Sequence, residues 1–399
     1  MKDQNISKVF RALDQFEIET PSWGYADTGT RFGKFLQDAA AISIEDKLAD
    51  AGQVNAFTGC CPTVAVHVLW DFKKGQNPAD VVKLARKNGV KIGSINPNLF
   101  QDQEYKYGSF CNTDPKVRQH ALQHSFDSVE LGKQVGSDII SFWMADGSNY
   151  PGQANIRQRK AFMEECFQKV HKKLSKKQTM VIEYKPFEPT FYHTDIADWG
   201  MSYLFCKNAG PQAKVLVDTG HHYGSQNIEQ IVTWLLDENM LGGFHFNDRR
   251  YADDDLTLGS IDPYQVFRIF HEILYFTFEK GRAPKIAYMI DQSHIDKPKI
   301  EAMLQTVTTA QELFAKAALV DHKQLAVLQK KNQQVDAEEL VRRAFFTDVT
   351  PYLKAWRKAN DLPVNPLLAF RQSGYETKIA AERKARRIEL GIGGGSSYA

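Results

Sequence analysis

Eight short apolar runs, each ending in polar or aromatic residues and followed by a longer segment of helical periodicity, constrain this chain's fold more than any other feature. They lie at residues 18–23, 63–69, 90–96, 138–144, 180–185, 214–218, 243–247 and 286–291. A short apolar run bounded by turn residues reads as a buried strand, and a 3.6-residue rhythm after it reads as a helix packed back on that strand. Such helices are expected at 118–135, 155–173, 203–209, 228–239 and 264–280, with 298–319 the last. Eight βα units in succession place the chain in the α/β class and predict a (β/α)8 TIM barrel, with residues to spare in a chain of 399. From about residue 321 the sequence turns Lys-, Gln- and Ala-rich with no further strand candidate. The expected organisation is therefore a barrel over 1–320 with a short N-terminal helix, and a helical C-terminal extension over 321–399. The extension is expected to pack on the barrel or on a neighbouring subunit, and the Gly/Ser tail from about 391 has too little to bury to be ordered.

Several function classes drop out on charge and patterning. Fifty basic residues against 48 acidic ones leave +2, which gives no field to hold a polyanion, so nucleic acid is not an expected partner. No apolar run reaches the roughly 18 residues of a membrane span. The N-terminus carries charges where a signal peptide would be apolar, and five cysteines without framework spacing suit a reducing compartment, so a cytoplasmic location is expected. Cys60 and Cys61 read as buried small hydrophobes. The basic stretch at 382–387 reads as a solvated helix face or an intersubunit salt-bridge surface.

The C-terminal strand ends of a barrel converge on one face, and here four consecutive ends carry metal-ligand residue types. Strand five brings Glu183 and Lys185, strand six Asp218 and His221, strand seven His245 and Asp248, and strand eight Asp291, while the loop after strand seven adds Asp253, Asp254 and Asp255. One acidic residue at a strand end is ordinarily solvated or caps the next helix; four in succession are not explained that way. Carboxylates mixed with imidazoles suit a transition-type divalent ion, and the set exceeds one ion's needs. Glu183, Asp218, His245 and Asp291 can surround one centre, with His221, Asp253 and Asp255 slightly above it. A calcium loop is excluded, because Leu256 stands after the aspartates and the required glycine is missing.

The other strand ends carry Ser22-Trp23-Gly24, His67 through Trp70-Asp71, Asn96, Asn98 and Phe100, and Trp143 with Asp146. Aromatic faces beside hydrogen-bonding groups suit a sugar, which offers C–H patches and hydroxyl edges.

The strings SWG with GTRF, HVLWD, EYKYGS, DGSNYPGQ, EYKPFEPTFY, VDTGHH, GGFHFNDRRYADDDL and MIDQSH resemble the L-rhamnose isomerase family of the xylose-isomerase-like barrels, over about residues 21–294 and more weakly around TDVTPYL and RQSGYE. The resemblance implies a two-metal aldose–ketose isomerase, often a homotetramer, usually working with manganese, with cobalt or zinc as alternatives. By position, Glu183, Asp218, His245 and Asp291 would hold the first metal, and His221, Asp253 and Asp255 the second. His67, Trp70 and Trp143, with the neighbouring Phe100, would line the sugar site. Lys185 would stand beside the metals, and Phe32 matches an aromatic that closes a neighbouring subunit's pocket. The chain departs from the family in reading Ser22-Trp23-Gly24-Tyr25-Ala26-Asp27-Thr28-Gly29-Thr30 where a glycine-rich segment is expected, and in Ala145 and Tyr150.

Nearly every carboxylate and histidine near the expected sugar is assigned to a metal, which favours a hydride shift between C1 and C2 over an enediol route. Lys185 then offers positive charge near O1, or forms an ion pair with Glu188 or Asp218; Asp291 relays the hydroxyl proton, and His67 is the base if an enediol forms instead. L-rhamnose to L-rhamnulose is the expected conversion, with D-allose and D-psicose as a further pair. The rivals are a one-metal ketose 3-epimerase or another sugar isomerase of the same barrels and, outside enzymes, a noncatalytic sugar-binding or scaffold protein built on a decayed barrel.

Overall fold

In the computed structural model, described for residues 2–30, 33–189 and 191–393, eight parallel strands form a TIM barrel with helices between them. The strands are β1 (Thr20–Pro21), β2 (Thr63–His67), β3 (Lys91–Asn96), β4 (Ile139–Phe142), β5 (Thr179–Glu183), β6 (Ala213–Asp218), β7 (Leu241–Phe246) and β8 (Ala287–Ile290). Each pairs with the next in chain order. Two hydrogen bonds join the ends of the sheet, from Glu19 N–H to Tyr288 O (2.8 Å) and from Ile290 N–H to Glu19 O (2.9 Å). All eight strands fall within the expected apolar runs or a residue or two beyond their N-terminal ends. The expected runs extend further at the C-terminal ends because the chain there turns into loops: β1 gives way to the 3-10 turn Ser22–Tyr25, and β2 to the short helix Val68–Asp71.

Strand alternation decides what enters the barrel. Met180 and Ile182 on β5, Val215 and Val217 on β6, and Phe244 and Phe246 on β7 join the large core between sheet and helices. Val181, Leu216 and Met289 form a separate small cluster inside the barrel. Two residues further along each of those three inward rows stand Glu183, Asp218 and Asp291, and the inward row of β7 ends in His245. A two-residue period thus converts three apolar plugs into three carboxylates at the C-terminal mouth.

The outer helices begin where the sequence supplies caps. Ser43, Asn77, Asp114, Asn155, Asp198, Asn227 and Asp262 each accept a backbone N–H in the first turn of the helix that follows. Helix Ile44–Thr58 lies outside the expected set because its inner face buries Lys47 and Asp50, which breaks the apolar rhythm. Two small hairpins interrupt the βα pattern, an arm formed by Thr28–Thr30 and Gly33–Phe35 and a second hairpin formed by Phe187–Glu188 and Tyr192–His193.

Beyond residue 321 come five helices: His322–Lys330, Gln334–Phe345, Thr350–Ala359, Pro366–Ser373 and Tyr375–Glu389. Leu325, Ala337, Ala344, Phe370 and Ile379 belong to the same hydrophobic core as the barrel helices. Val349, Leu353 and Trp356 pack with Val9 and Leu13 of the N-terminal helix Lys2–Leu13, where Trp356 Nε1 donates to Asp14 (2.7 Å). The reading of 382–387 as a solvated or intersubunit basic face is corrected in part: Glu382 and Lys384 are exposed, but Arg383 and Arg387 are buried and paired within the chain to Asp50 and Asp27. Cys60 and Cys61 are buried and free. No helix among the described residues is long and apolar enough to cross a membrane. Phe32 and most of the Gly/Ser tail lie outside the described residues.

Candidate metal centre

A cavity of about 260 Å3 opens at the C-terminal mouth of the barrel, with Glu183, His245 and Asp291 on one side and Trp70, Phe100 and Trp143 on the other. Glu183, Asp218, His245 and Asp291 each present one ligand atom, all within 4.8 Å of one another. His245 Nδ1 lies 3.3 Å from Glu183 Oε2 and 3.7 Å from Asp291 Oδ2. Neither of its ring nitrogens makes a hydrogen bond, although both are buried. A buried imidazole aimed between carboxylates without hydrogen-bond geometry is suited to a cation placed among them.

The charges point the same way. Burial opposes ionisation of Glu183, yet His245 and His221 hold its carboxyl well below the usual range. Burial, together with Glu183 and Asp291, pushes Asp218 up to about 7, while the surrounding carboxylates raise His245 to about 9 against its own burial. A divalent ion placed among these groups would favour their deprotonated forms.

A second group, Asp218, His221 and Asp255, shares Asp218 with the first. His221 Nδ1 faces Tyr184 O at 3.0 Å, which turns Nε2 toward Asp253 Oδ1, also at 3.0 Å. Asp253 lies outside that three-residue group: its other oxygen is 2.6 Å from Lys185 Nζ, and Lys185 also reaches Glu188 at 3.0 Å. Lys185 therefore does form an ion pair, with Glu188 and Asp253 rather than Asp218, while its ammonium lies 5.0 Å from the Trp143 ring centroid. The acidic loop holds unusual backbone, with φ of 74° at Ala252, 138° at Asp253 and 45° at Asp255. Asp254 braces it by accepting the N–H groups of Arg250 (2.8 Å) and Tyr251 (2.9 Å). Asp248 is also a brace, accepting from Ile261 and Asp262. A third group, Asp102, Glu104 and His120, is exposed on the outside, where His120 pairs with Glu104.

Asn247, absent from the expected site, touches both ligand groups. Its Nδ2 lies 3.1 Å from Asp218 Oδ1, 3.2 Å from Asp255 Oδ1 and 3.2 Å from the Asp291 carbonyl. Gly220 makes room for it, since a Cβ there would sit 2.3 Å from Asn247 Oδ1.

On the aromatic side, the His67 ring centroid lies 4.1 Å from Trp70, 4.8 Å from Trp23 and 5.8 Å from Phe100, and Phe100 is 5.1 Å from Trp143. Trp23 bridges the two sides, its Nε1 donating to Asp291 Oδ1 (2.8 Å). Behind them Asp71 accepts from Lys47 Nζ (2.5 Å), Ser22 Oγ (2.5 Å) and the His67 backbone N–H (2.8 Å), tying β1 to β2. Burial, with Lys47 and His245, lowers His67 to about 3, so the ring is neutral. His67 Nδ1, Trp143 Nε1 and Ser141 Oγ are buried without partners in the residues around this cavity, which suits a ligand with several hydroxyls. Asp146 stays out of the pocket, its carboxylate satisfied by Ser109 and Cys111.

A closed ring of parallel strands with its polar groups gathered at the C-terminal mouth defines a TIM-barrel protein with a candidate metal centre. The chain belongs to the xylose isomerase-like TIM barrel family, which it matches over residues 54–292. A protein named probable sugar isomerase from Rhizobium meliloti (strain 1021) is 38% identical over 399 residues, spanning 98% of this chain and 91% of that protein. Another of the same name, from Mesorhizobium japonicum, is 36% identical over 394 residues, spanning 98% and 90%. Among solved structures, a xylose isomerase domain protein from Alicyclobacillus acidocaldarius subsp. acidocaldarius superposes with a TM-score of 0.53 at 14% identity, over 76% of this chain and 99% of that one, a likeness of fold alone.

Proposed function

We propose that this protein is a sugar isomerase that interconverts an aldose and its ketose with two divalent cations per chain, and that its sugar is L-rhamnose, converted to L-rhamnulose, with D-allose and D-psicose as a further pair. The observation that carries the reading is the four-ligand group of Glu183, Asp218, His245 and Asp291, which shares Asp218 with His221 and Asp255 and faces an aromatic wall across one cavity. The relatives named as probable sugar isomerases support the isomerase class. The choice of L-rhamnose rests on the motif resemblance.

Bound cations, manganese first with cobalt or zinc as alternatives, would polarise the sugar oxygens at C1 and C2. Around them the side chains have separate tasks. Trp70, Phe100 and Trp143 cover the C–H face and exclude water. His67, neutral and with Nδ1 unpartnered, meets a hydroxyl as a hydrogen-bonding group. Lys185 carries positive charge into the cavity and steadies Asp253. Asp291 has one oxygen engaged by Trp23, which leaves Oδ2, 3.7 Å from His245 Nδ1, to face the cation, so that the proton passing between the sugar hydroxyls would travel by way of water in the cavity. A base for an enediol route is lacking among these groups: the carboxylates are in the ligand groups or paired, and a ring whose pKa is near 3 has little affinity for a carbon-bound proton. The hydrogen therefore moves directly between C2 and C1.

The reading is tested by stripping metal, restoring manganese, and offering a panel of aldoses in deuterated water. Ketose should form from L-rhamnose only with metal, its C1 unlabelled over many turnovers. Turnover in metal-free buffer, or deuterium at C1, would overturn the cation or the hydride part respectively. One bound cation per chain would favour the ketose 3-epimerase rival. A cytoplasmic homotetramer belongs to the same proposal, and sizing of the purified protein tests the assembly.

A further inference from the structure

A second cavity, of about 450 Å3, adjoins the pocket at the barrel mouth and shares Trp23 and Trp70 with it. Thr28 and Lys34 of the arm hairpin line this cavity, and so does Arg387 from the last helix. A two-stranded hairpin with three residues a side has little stability of its own, so its position depends on what holds its ends. Asp27 precedes its first strand and Gln37 follows its second by two residues. One carboxylate joins them, for Asp27 Oδ1 accepts the Gln37 N–H at 2.8 Å.

Arg387 holds that junction from the far end of the chain. Its Nη1 lies 2.5 Å from Asp27 Oδ2 and its Nη2 donates to Ala40 O at 2.8 Å, with the side chain only 5% exposed. The planar guanidinium fork suits two acceptors held at a fixed angle. From the junction the contacts continue toward the reacting side of the pocket. Gln37 Nε2 donates to the carbonyls of His294 (3.2 Å) and Ile295 (3.1 Å) in the loop after β8. Ser293 in that loop donates to Trp23 O (3.3 Å), and Trp23 holds Asp291.

We propose that Arg387 is a positioning residue for substrate binding: by holding the segments at both ends of the arm it fixes the arm across the second cavity from Trp23 and Trp70 and thereby governs how tightly the sugar is retained. The identity of the ligand rests on the proposed function; the placement of the arm does not. Arg383, one turn earlier on the same helix, is no comparison, because it too holds this segment through the Ala39 carbonyl (2.6 Å). Arg357, in the extension helix Thr350–Ala359, supplies one: it is buried like Arg387, its Nη2 donates to Gln311 Oε1 at 2.9 Å and its Nη1 to Val364 O at 3.4 Å, and it lines neither cavity.

The test compares full-length R387M, R387K and R357M by hydrogen exchange of residues 27–42, by KM and kcat on the best aldose of the panel, and by melting temperature. R387M should speed exchange in the arm and raise KM about tenfold, as expected for the loss of a charged hydrogen bond, with kcat falling by less than KM rises. R387K should recover part of both effects. R357M should lower the melting temperature while leaving arm exchange and KM at wild-type values. Unchanged arm exchange in R387M, or equal effects of R357M and R387M on arm and KM, would overturn the proposal. If the wild type turns over no aldose, the proposed function fails, and arm exchange alone decides this inference.

Discussion

His67 and Asn247 show how much a single side chain can owe to its surroundings. His67 ends the inward row of β2, and its burial lowers it from an ordinary 6.5 to about 3. The unfolded chain's imidazole takes up a proton below about 6.5 while the folded one stays neutral until about 3, so its contribution is complete above 6.5 and is lost as pH falls through that window, by up to about 1.4 kcal/mol per pH unit. Urea unfolding of wild type and H67Q should diverge accordingly: between pH 6.5 and 4.5 the wild type loses more stability than the variant. Parallel losses would mean that His67 is protonated in the folded protein. Asn247 has one amide in contact with Asp218, Asp255 and the Asp291 backbone. N247L should weaken cation binding by about ten- to a hundredfold, as loss of a ligand-orienting partner does, and most at the group that includes Asp255; titration calorimetry with manganese reads it. Ligand-type residues such as Glu183 and His245 are visible in the sequence because strand alternation and chemistry agree there. Asn247 is not, because an amide is no metal ligand by type and its importance arises only when strands β6, β7 and β8 come together. Asp253 is the converse: the right residue type in the right loop, but engaged by Lys185 and His221.

At the scale of elements, the strands were readable because buried parallel strands are short apolar runs whatever else the chain does. Helix Ile44–Thr58 was obscured by Lys47 and Asp50, charges whose partners Asp71 and Arg383 come from elsewhere in the fold. The two hairpins have too few residues to produce a period. The loop 250–255 depends on its own sequence in a different way. Residues at positive φ cost roughly 1–3 kcal/mol each and persist only where neighbouring contacts hold them. Asp254 supplies two of those contacts. D254A should therefore release the loop, lowering kcat and the affinity of the second cation while shifting the melting temperature little, since the loop carries almost no core. Crystallographic or exchange data showing an unchanged loop would remove this account of its shape.

The molecule as a whole is less divisible than its sequence suggests. The change of character near residue 321 marks where strands stop, and five helices do follow, but their apolar faces join the barrel's own core through Leu325, Phe370 and Ile379. A chain ended at residue 320 should consequently fail to fold: it should lack a cooperative melting transition and bind a dye for exposed apolar surface. A stable, metal-binding 1–320 fragment would establish two independent domains instead. Nothing in a linear pattern reveals which surface an amphipathic helix covers, and the packing of Val349, Leu353 and Trp356 on the N-terminal helix illustrates why.

The ion pair between Asp27 and Arg387 joins positions 360 residues apart. On a ribosome the first of these emerges 360 residues ahead of its partner and waits for all of them to be made. Strands β5 to β8, at whose ends the candidate ligand groups stand, are all complete by then. Birth order therefore separates two parts of the cavity wall: every strand that carries a candidate ligand group is made before Arg387, so the arm across from Trp23 and Trp70 is the part that waits for its anchor.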